Sequence, residues 1–129
     1  MKYTELDTPA LLIDREVMMS NIRAMQAHAD RCGVSLRPHT KTHKMPALAR
    51  LQCEAGARGI AVAKIGEAEV MAANGLNDIF IANEPVGEIK MARLRKLAET
   101  IDVSWGIDCP EHVEAAEKAF AGSAKRPKS

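Results

Sequence analysis

Short apolar runs alternate with helical patterns along most of this chain, and the alternation limits the folds it can adopt. Runs of strand type, bounded by Gly, Pro or polar residues, occur at residues 10–13, 34–36, 59–63, 78–82 and 101–105. From residue 34 onward each run is followed by a helical pattern, in units of about two dozen residues, the size of a βα unit in a parallel sheet. The sequence therefore predicts an α/β fold.

Helices are predicted at residues 15–31, 46–56, 66–74, 87–99 and from residue 108 onward, with Gly or Pro near most of their ends. Spacing predicts which residues of two of these helices face the core. In the first helix they are Met18, Ile22, Met25 and Ala29. In the fourth helix they are Ile89, Leu94 and Leu97.

The residues that follow the strand predicted at 34–36 distinguish two architectures built from βα units. A doubly wound sheet would place a Gly-rich phosphate loop after its first strand, whereas this chain continues with Pro38, His39, Thr40 and Lys41. A TIM-like (β/α)8 barrel fits better. Such a barrel needs about 250 residues, and this chain has 129. The prediction is therefore the N-terminal half of a barrel, incomplete in itself.

Composition argues against several classes of function. The net charge is +1 and aromatic residues make up 3% of the chain, which disfavours a nucleic-acid partner. No stretch is apolar enough to span a bilayer, and residues 1–7 lack the apolar core of a signal peptide, so a cytoplasmic protein with no membrane partner is predicted. Cys32, Cys53 and Cys109 are widely spaced and are expected to be free thiols.

In a barrel the functional groups follow the strands, so the residues after each apolar run are the candidates for chemistry. They are residues 37–44 after the run at 34–36, then Lys64, then residues 83–84, and then Asp108. All of these are expected to point to one rim of the sheet.

Lys41 is the strongest candidate nucleophile because it lies among other basic residues. Arg37 and Lys44 flank it, with His39 and His43 alongside. Neighbouring cations lower the pKa of a lysine, which makes a nucleophilic amine available near neutral pH. A solvated basic loop without chemistry is an equally good interpretation of the charge pattern alone.

For the other polar groups, the sequence favours a structural role over a catalytic or metal-binding one. His39 and His43 are four residues apart, but Pro46 starts the helix later than both, so a metal between them is disfavoured. The acids at 66–69 are typical of a first helical turn. Asp108 and Glu111 predict a capping box. His28 and His112 are expected to be exposed, and the basic tail at 124–129 is expected to be solvated.

Four segments together resemble the D-threonine aldolase and D-serine dehydratase family. They are residues 6–14, Leu-Asp-Thr-Pro-Ala-Leu-Leu-Ile-Asp, residues 37–44, Arg-Pro-His-Thr-Lys-Thr-His-Lys, residues 66–69, Gly-Glu-Ala-Glu, and residues 81–83, Ile-Ala-Asn. The resemblance runs from Leu6 to about Gly122. The block at 37–44 is specific to this family, whereas the other segments are weak alone.

The resemblance implies an alanine racemase-type N-terminal barrel that holds pyridoxal 5'-phosphate, followed in full-length members by a β-rich domain. It implies that Lys41 is the catalytic Schiff-base lysine, and Lys41 and His39 are the expected cofactor-binding residues. The implied substrate is a D-3-hydroxy amino acid, which the aldolases cleave to glycine and an aldehyde and the dehydratases convert to a keto acid and ammonia. Both reactions use a divalent metal in full-length members.

The expected organisation is a partial cofactor-binding barrel at residues 1–122 and a basic tail at 123–129 that does not match the family. The resemblance places the phosphate loops, a ring-stacking tyrosine and the metal ligands in later segments, so no metal ligand is predicted here. Truncation or a shifted reading frame is the interpretation, and the isolated chain is expected to be inactive. The alternatives are a D-serine dehydratase, an amino acid racemase, a non-catalytic cofactor-binding protein, or an assembly piece that forms homo-oligomers.

Overall fold

The computed structural model describes residues 2–123 as five α-helices around a three-stranded parallel sheet. The helices are α1 (Arg15–Arg31), α2 (Pro46–Glu54), α3 (Ile65–Ala73), α4 (Glu88–Ala98) and α5 (Pro110–Phe120). The strands are β1 (Ile60–Val62), β2 (Asp78–Ile81) and β3 (Asp102–Trp105). The predicted α/β class is therefore confirmed. The predictions for residues 124–129 lie outside the described part.

The strands are ordered β1-β2-β3, so neighbours in the sheet are also neighbours along the chain. Ile60 pairs with Ile79, and Ile79 pairs in turn with Val103, which fixes one continuous register across the sheet. Helices α3 and α4 connect successive strands, as parallel pairing requires. All three strands therefore end at the same rim.

The core lies between the sheet and the helices that follow its strands. Ile60, Ile79 and Ile81 are fully buried, and Met71 of α3 and Leu94 of α4 lie against them. Phe120 of α5 stacks on Trp105 with ring centroids 5.6 Å apart, which holds the last helix against β3. Within residues 2–123 none of the helices is both long enough and apolar enough to cross a membrane.

The strand predicted at residues 34–36 is not formed as a regular strand. Its segment nevertheless runs beside β1, because Arg58 N donates to Leu36 O and Ala61 N donates to Pro38 O. His39 then makes an isolated parallel bridge to Ala61. Pro38 has no N–H to donate, so the hydrogen-bond ladder is interrupted at that point. The segment occupies the position of a strand without the full pairing of one.

The strand predicted at residues 10–13 is also wrong. This segment has no regular secondary structure and is exposed, with Leu11 fully accessible and Leu12 and Ile13 more than half accessible. An apolar run of this length can form a strand only beside a partner strand. Among the described residues the sheet ends at the segment before β1, so no partner reaches it.

Helix α1 has the predicted bounds, but its predicted core face is only partly buried. Asp14 caps it by accepting hydrogen bonds from the amides of Glu16 and Val17. Ala29 is buried as predicted, whereas Met25 is 55% exposed. The periodicity found the helix correctly but overestimated how much of it is covered.

In the later helices most of the predicted positions hold. Leu94 and Leu97 are buried in α4, but Ile89, in the first turn of this helix, is 80% exposed. The predicted capping box at α5 is wrong. Cys109, not Asp108, is the N-cap residue of α5, and its side chain makes no capping hydrogen bond.

Candidate active site

The rim formed by the carboxyl ends of the strands carries most of the residues that the sequence marked as candidates for chemistry. His39 is bridged to β1, Lys64 is the N-cap of α3, and Asn83 follows β2. Asp108 follows β3. The structure therefore brings four separate segments of the chain to one rim, as the βα pattern predicted.

Lys41 lies exposed on a short 3-10 turn, Thr40–Thr42, directly above the end of β1. The turn is anchored by Thr40, which is 1% exposed and whose Oγ1 donates to Ala61 O at 3.2 Å. Lys44 N donates to Thr40 O at 2.7 Å and closes the turn. A solvent-facing amine is thus carried by a buried, hydrogen-bonded base, an arrangement that suits a reactive lysine.

His39 is the N-cap of this turn, and its imidazole ring makes the capping contact. Its Nδ1 accepts a hydrogen bond from Lys41 N at 3.2 Å, so the ring must be unprotonated at that nitrogen. Burial and the nearby Lys41 charge lower the pKa of His39, while Glu67 opposes this shift. The neutral ring leaves Nε2 to carry the proton, so a donor on this residue remains for a ligand.

His43 repeats the same pattern four residues later. Its Nδ1 accepts from Met45 N at 3.0 Å, while its Nε2 is buried and makes no hydrogen bond within residues 2–123. Since both Nδ1 atoms are engaged by backbone amides, His39 and His43 act as turn caps.

Arg37 does not belong to this rim, contrary to the sequence prediction. Its Nη2 pairs with Asp78 Oδ1 at 2.8 Å, and its Nη1 donates to Asp78 O and Ile60 O. Asp78 is the first residue of β2, so this ion pair lies at the amino ends of the strands. Arg37 therefore joins the segment before β1 to the sheet and is separated from the cations around Lys41.

Glu67 makes contacts at this rim that were not predicted from the sequence. Its side chain is 11% exposed, and Oε2 accepts from Ala63 N at 2.9 Å. Oε1 lies 3.7 Å from Lys44 Nζ. This carboxylate thus ties the end of β1, the start of α3 and the Lys41 turn together. Its signal in the sequence was only that of an ordinary first-turn acid.

Lys44 has a backbone φ of 51°, the left-handed conformation that residues other than glycine adopt rarely. The chain makes a sharp bend there between the Lys41 turn and α2. Among the residues that the structure describes, Lys44 is the only one other than glycine with a positive φ. Such conformations concentrate at functional sites, where the surrounding contacts hold them in place.

Asn83 joins the ends of all three strands. Its Nδ2 donates to Ala63 O after β1, its backbone O accepts from Gly106 N after β3, and its Oδ1 accepts from Glu84 N. It therefore serves to hold the rim rather than to present a free group. Lys64 and Glu84 are exposed beside it.

After β3 the chain brings together three residues of different chemistry: Asp108, Cys109 and His112. His112 is not exposed as predicted. Its side chain is 19% accessible, because the first turn of α5 folds it back over the loop. All three cysteines of the chain are free, as expected, and Cys109 is half-buried.

The chain matches the family model for the alanine racemase N-terminal domain over residues 13–128. A D-threonine aldolase from Arthrobacter sp. is 44% identical over 115 residues, which cover 89% of this chain and 30% of that protein. A D-threo-3-hydroxyaspartate dehydratase from Delftia sp. (strain HT23) is 49% identical over 77 residues, covering 60% of this chain and 20% of that protein. The chain thus spans about a third or less of the relatives it matches.

The fold gives the same result. The crystal structure of D-threonine aldolase from Filomicrobium marinum matches with a TM-score of 0.94 and 34% identity, over 97% of this chain and 34% of that one. These matches confirm the resemblance to D-threonine aldolases and related dehydratases that the motifs indicated. The protein belongs to the alanine racemase N-terminal domain family.

Proposed function

We propose that this chain is the lysine-bearing part of a pyridoxal-phosphate lyase that acts on D-3-hydroxy amino acids, with retro-aldol cleavage to glycine and an aldehyde as its reaction. The observation that carries the proposal is the exposed Lys41 amine on its anchored turn at the strand-end rim. The aldolase relatives support the reaction class, since their match covers 89% of the chain.

The residues present fit the cofactor at this rim. Lys41 would hold pyridoxal phosphate covalently, and His39, with its Nε2 free to donate, would contact it. When bound, this cofactor supplies an electron sink for negative charge at the α-carbon of an amino acid. The phosphate contacts and the divalent metal are proposed to come from segments other than these.

The chain's own residues contribute positioning. The buried Thr40 hydroxyl fixes the base of the turn, and Lys44 bends the chain away after it. Glu67 joins β1 to Lys44, so the amine of Lys41 is presented from a turn held on both sides. Holding a reactive group in place in this way reduces the entropy lost on reaction.

Labelling tests the role of Lys41. The 129-residue chain is incubated with pyridoxal phosphate, reduced with borohydride and mapped by peptide mass. We expect the label on Lys41 and its loss in Lys41→Arg, while Lys64→Arg, a matched exposed lysine on the same rim, stays labelled at Lys41. Equal labelling of many lysines would contradict the proposal.

Product analysis tests the reaction. With D-threonine we expect no aldehyde from this chain alone, and we expect glycine and an aldehyde from a protein that carries this chain together with the remaining segments. A dehydratase is the second candidate, favoured by the 49% identity to the Delftia dehydratase. It would give a keto acid and ammonia instead. If the longer protein were labelled at Lys41 but gave no product from D-threonine, D-serine or D-alanine, it would be a cofactor-binding protein without this activity.

A further inference from the structure

We infer that Asp108, Cys109 and His112 form a binding site for one divalent transition-metal ion at the start of α5. The three residues offer a carboxylate oxygen, a thiol sulfur and an imidazole nitrogen, and these atoms all lie within 4.8 Å of one another. Ligand atoms bound to one Zn²⁺ at 2.0–2.3 Å are roughly 3–4 Å apart. The spacing therefore suits a shared ion with little movement.

The contact between Asp108 and His112 has the geometry of two ligands rather than of a hydrogen-bonded pair. Asp108 Oδ1 lies 3.0 Å from His112 Nδ1. Yet Nδ1 is buried and makes no hydrogen bond within residues 2–123. A buried nitrogen left in this state is costly, and an ion between the two atoms would satisfy both.

The local fold explains why three such residues meet. Cys109 is the N-cap of α5, so its side chain and that of Asp108 lie over the first turn of the helix. His112 follows three residues after Cys109, which places its ring on the same side of that turn. Its side chain is 19% exposed, so the imidazole is already oriented before any ion binds.

The donor set identifies the class of ion. Thiolate and imidazole favour Zn²⁺ and Co²⁺, whereas Mg²⁺ and Ca²⁺ prefer oxygen ligands alone. Three protein ligands also leave one tetrahedral position for water. The site is separate from the metal of the proposed lyase reaction, whose ligands we attribute to other segments, and it does not depend on the role of Lys41.

Binding must displace protons, which gives the site a pH signature. Cysteine binds a metal ion as the thiolate, so the ion replaces the proton of the thiol when it binds. Affinity should rise with pH through the neutral range.

The test is a Co²⁺ titration of the 129-residue chain, read by absorption. We expect one equivalent of Co²⁺ to give a thiolate-to-cobalt charge-transfer band and visible bands of tetrahedral type, and we expect Zn²⁺ to abolish them. Mg²⁺ at the same concentration should leave them unchanged. A wild-type chain without the thiolate band, or displacement by Mg²⁺ as effective as by Zn²⁺, would overturn the site.

Variants identify the ligands. Cys109→Ser should remove the band, and since Ser is a preferred N-cap residue it should keep α5 folded. His112→Gln and Asp108→Asn should each weaken binding by about 10-fold or more. Cys32→Ser is the matched control, because Cys32 also lies near an imidazole, with its Sγ 3.8 Å from His28 Nε2. Loss of the band in Cys32→Ser, or its survival in Cys109→Ser with far-UV circular dichroism unchanged, would refute the assignment.

Discussion

Helices α1 and α4 look alike in sequence but have different surroundings in the fold. Both carry apolar residues at helical spacing, yet α4 buries Met91, Leu94, Leu97 and Ala98, whereas α1 buries only Gln26 and Ala29. Helix α4 follows a strand and is folded back onto the sheet, while α1 precedes the first paired segment. The difference shows that periodicity predicts a helix and its apolar face, but the neighbouring elements decide whether that face is covered.

The largest expected effect is on the free energy of unfolding, when one apolar residue is truncated in α4 and one in α1. Leu94→Ala removes a fully buried side chain and should lower the free energy of unfolding by about 2–5 kcal/mol. Met25→Ala, at a position 55% exposed, should change it by less than about 0.5 kcal/mol. Urea denaturation of the two variants measures this directly. Equal losses would show that α1 is as well covered as α4 in solution.

A second substitution, Gly59→Ala, tests whether the segment before β1 is held firmly against the sheet. A Cβ at Gly59 would overlap Asp78 O and lie 2.6 Å from Arg37 Nη1, both held in the ion-paired seam at the amino ends of the strands. Gly59→Ala should therefore cost roughly 1–3 kcal/mol in unfolding free energy.

Gly66→Ala is the control for that substitution. Its new Cβ would meet only Arg93 Nη2 at 3.6 Å, and in the first turn of α3 alanine should stabilise by about 0.5–1 kcal/mol. If Gly59→Ala were as stable as Gly66→Ala, the contacts between Arg37 and Asp78 would be loosely held, and the segment before β1 would not be fixed to the sheet.

The N-cap of α1 should give a smaller and more local effect. Asp14→Ala removes the acceptor for two amides and should cost about 1 kcal/mol, whereas Asp14→Asn keeps an acceptor and should cost less. Amide hydrogen exchange should speed up in α1 and stay unchanged in α4. A uniform increase along the chain would mean that the two helices unfold together and would remove the contrast between them.

The smallest expected effect is a pH dependence at the rim. Burial and the charge of Lys41 lower the pKa of His39 from 6.5, so the unfolded chain binds more protons between that value and the lower folded pKa. Stability should therefore rise with pH through this window and fall as the pH drops below 6.5.

Two measurements check this pH dependence. The His39 ring is titrated by NMR, and exchange of the Lys41 amide, which donates to that ring, is followed against pH. His39→Asn keeps an acceptor for the Lys41 amide but cannot titrate, so its amide protection should be flat with pH. The same pH response in this variant would assign the effect to another group.

The sequence alone predicted the features that depend on residues close together in the chain. The α/β class, the parallel strands and the bounds of α1 follow from periodicity and end signals, and the rim position of Lys41 follows from its place after an apolar run. Features that depend on a distant partner were not recoverable. Arg37 faces away from Lys41 because Asp78, 41 residues later, lies at the other end of the sheet.

The same limit applies to the residues that sequence reasoning overlooked. Glu67 resembled a common first-turn acid, and only the fold shows its carboxylate between Ala63 and Lys44. Asp108 and Glu111 matched a capping box, but the helix begins one residue later than that pattern requires, at Pro110. That shift of one position turns His112 inward and brings it beside Asp108 and Cys109.

Because the three strands run in the same direction, the sheet has two distinct ends. A reporter group can therefore be attached at the end away from Lys41. β2 has four residues and is therefore about 13 Å long. A fluorophore on Glu99, an exposed residue in the turn before β3, would sit at the far end from the Lys41 amine. Labelling there should report on folding while leaving the reactive end open to added molecules.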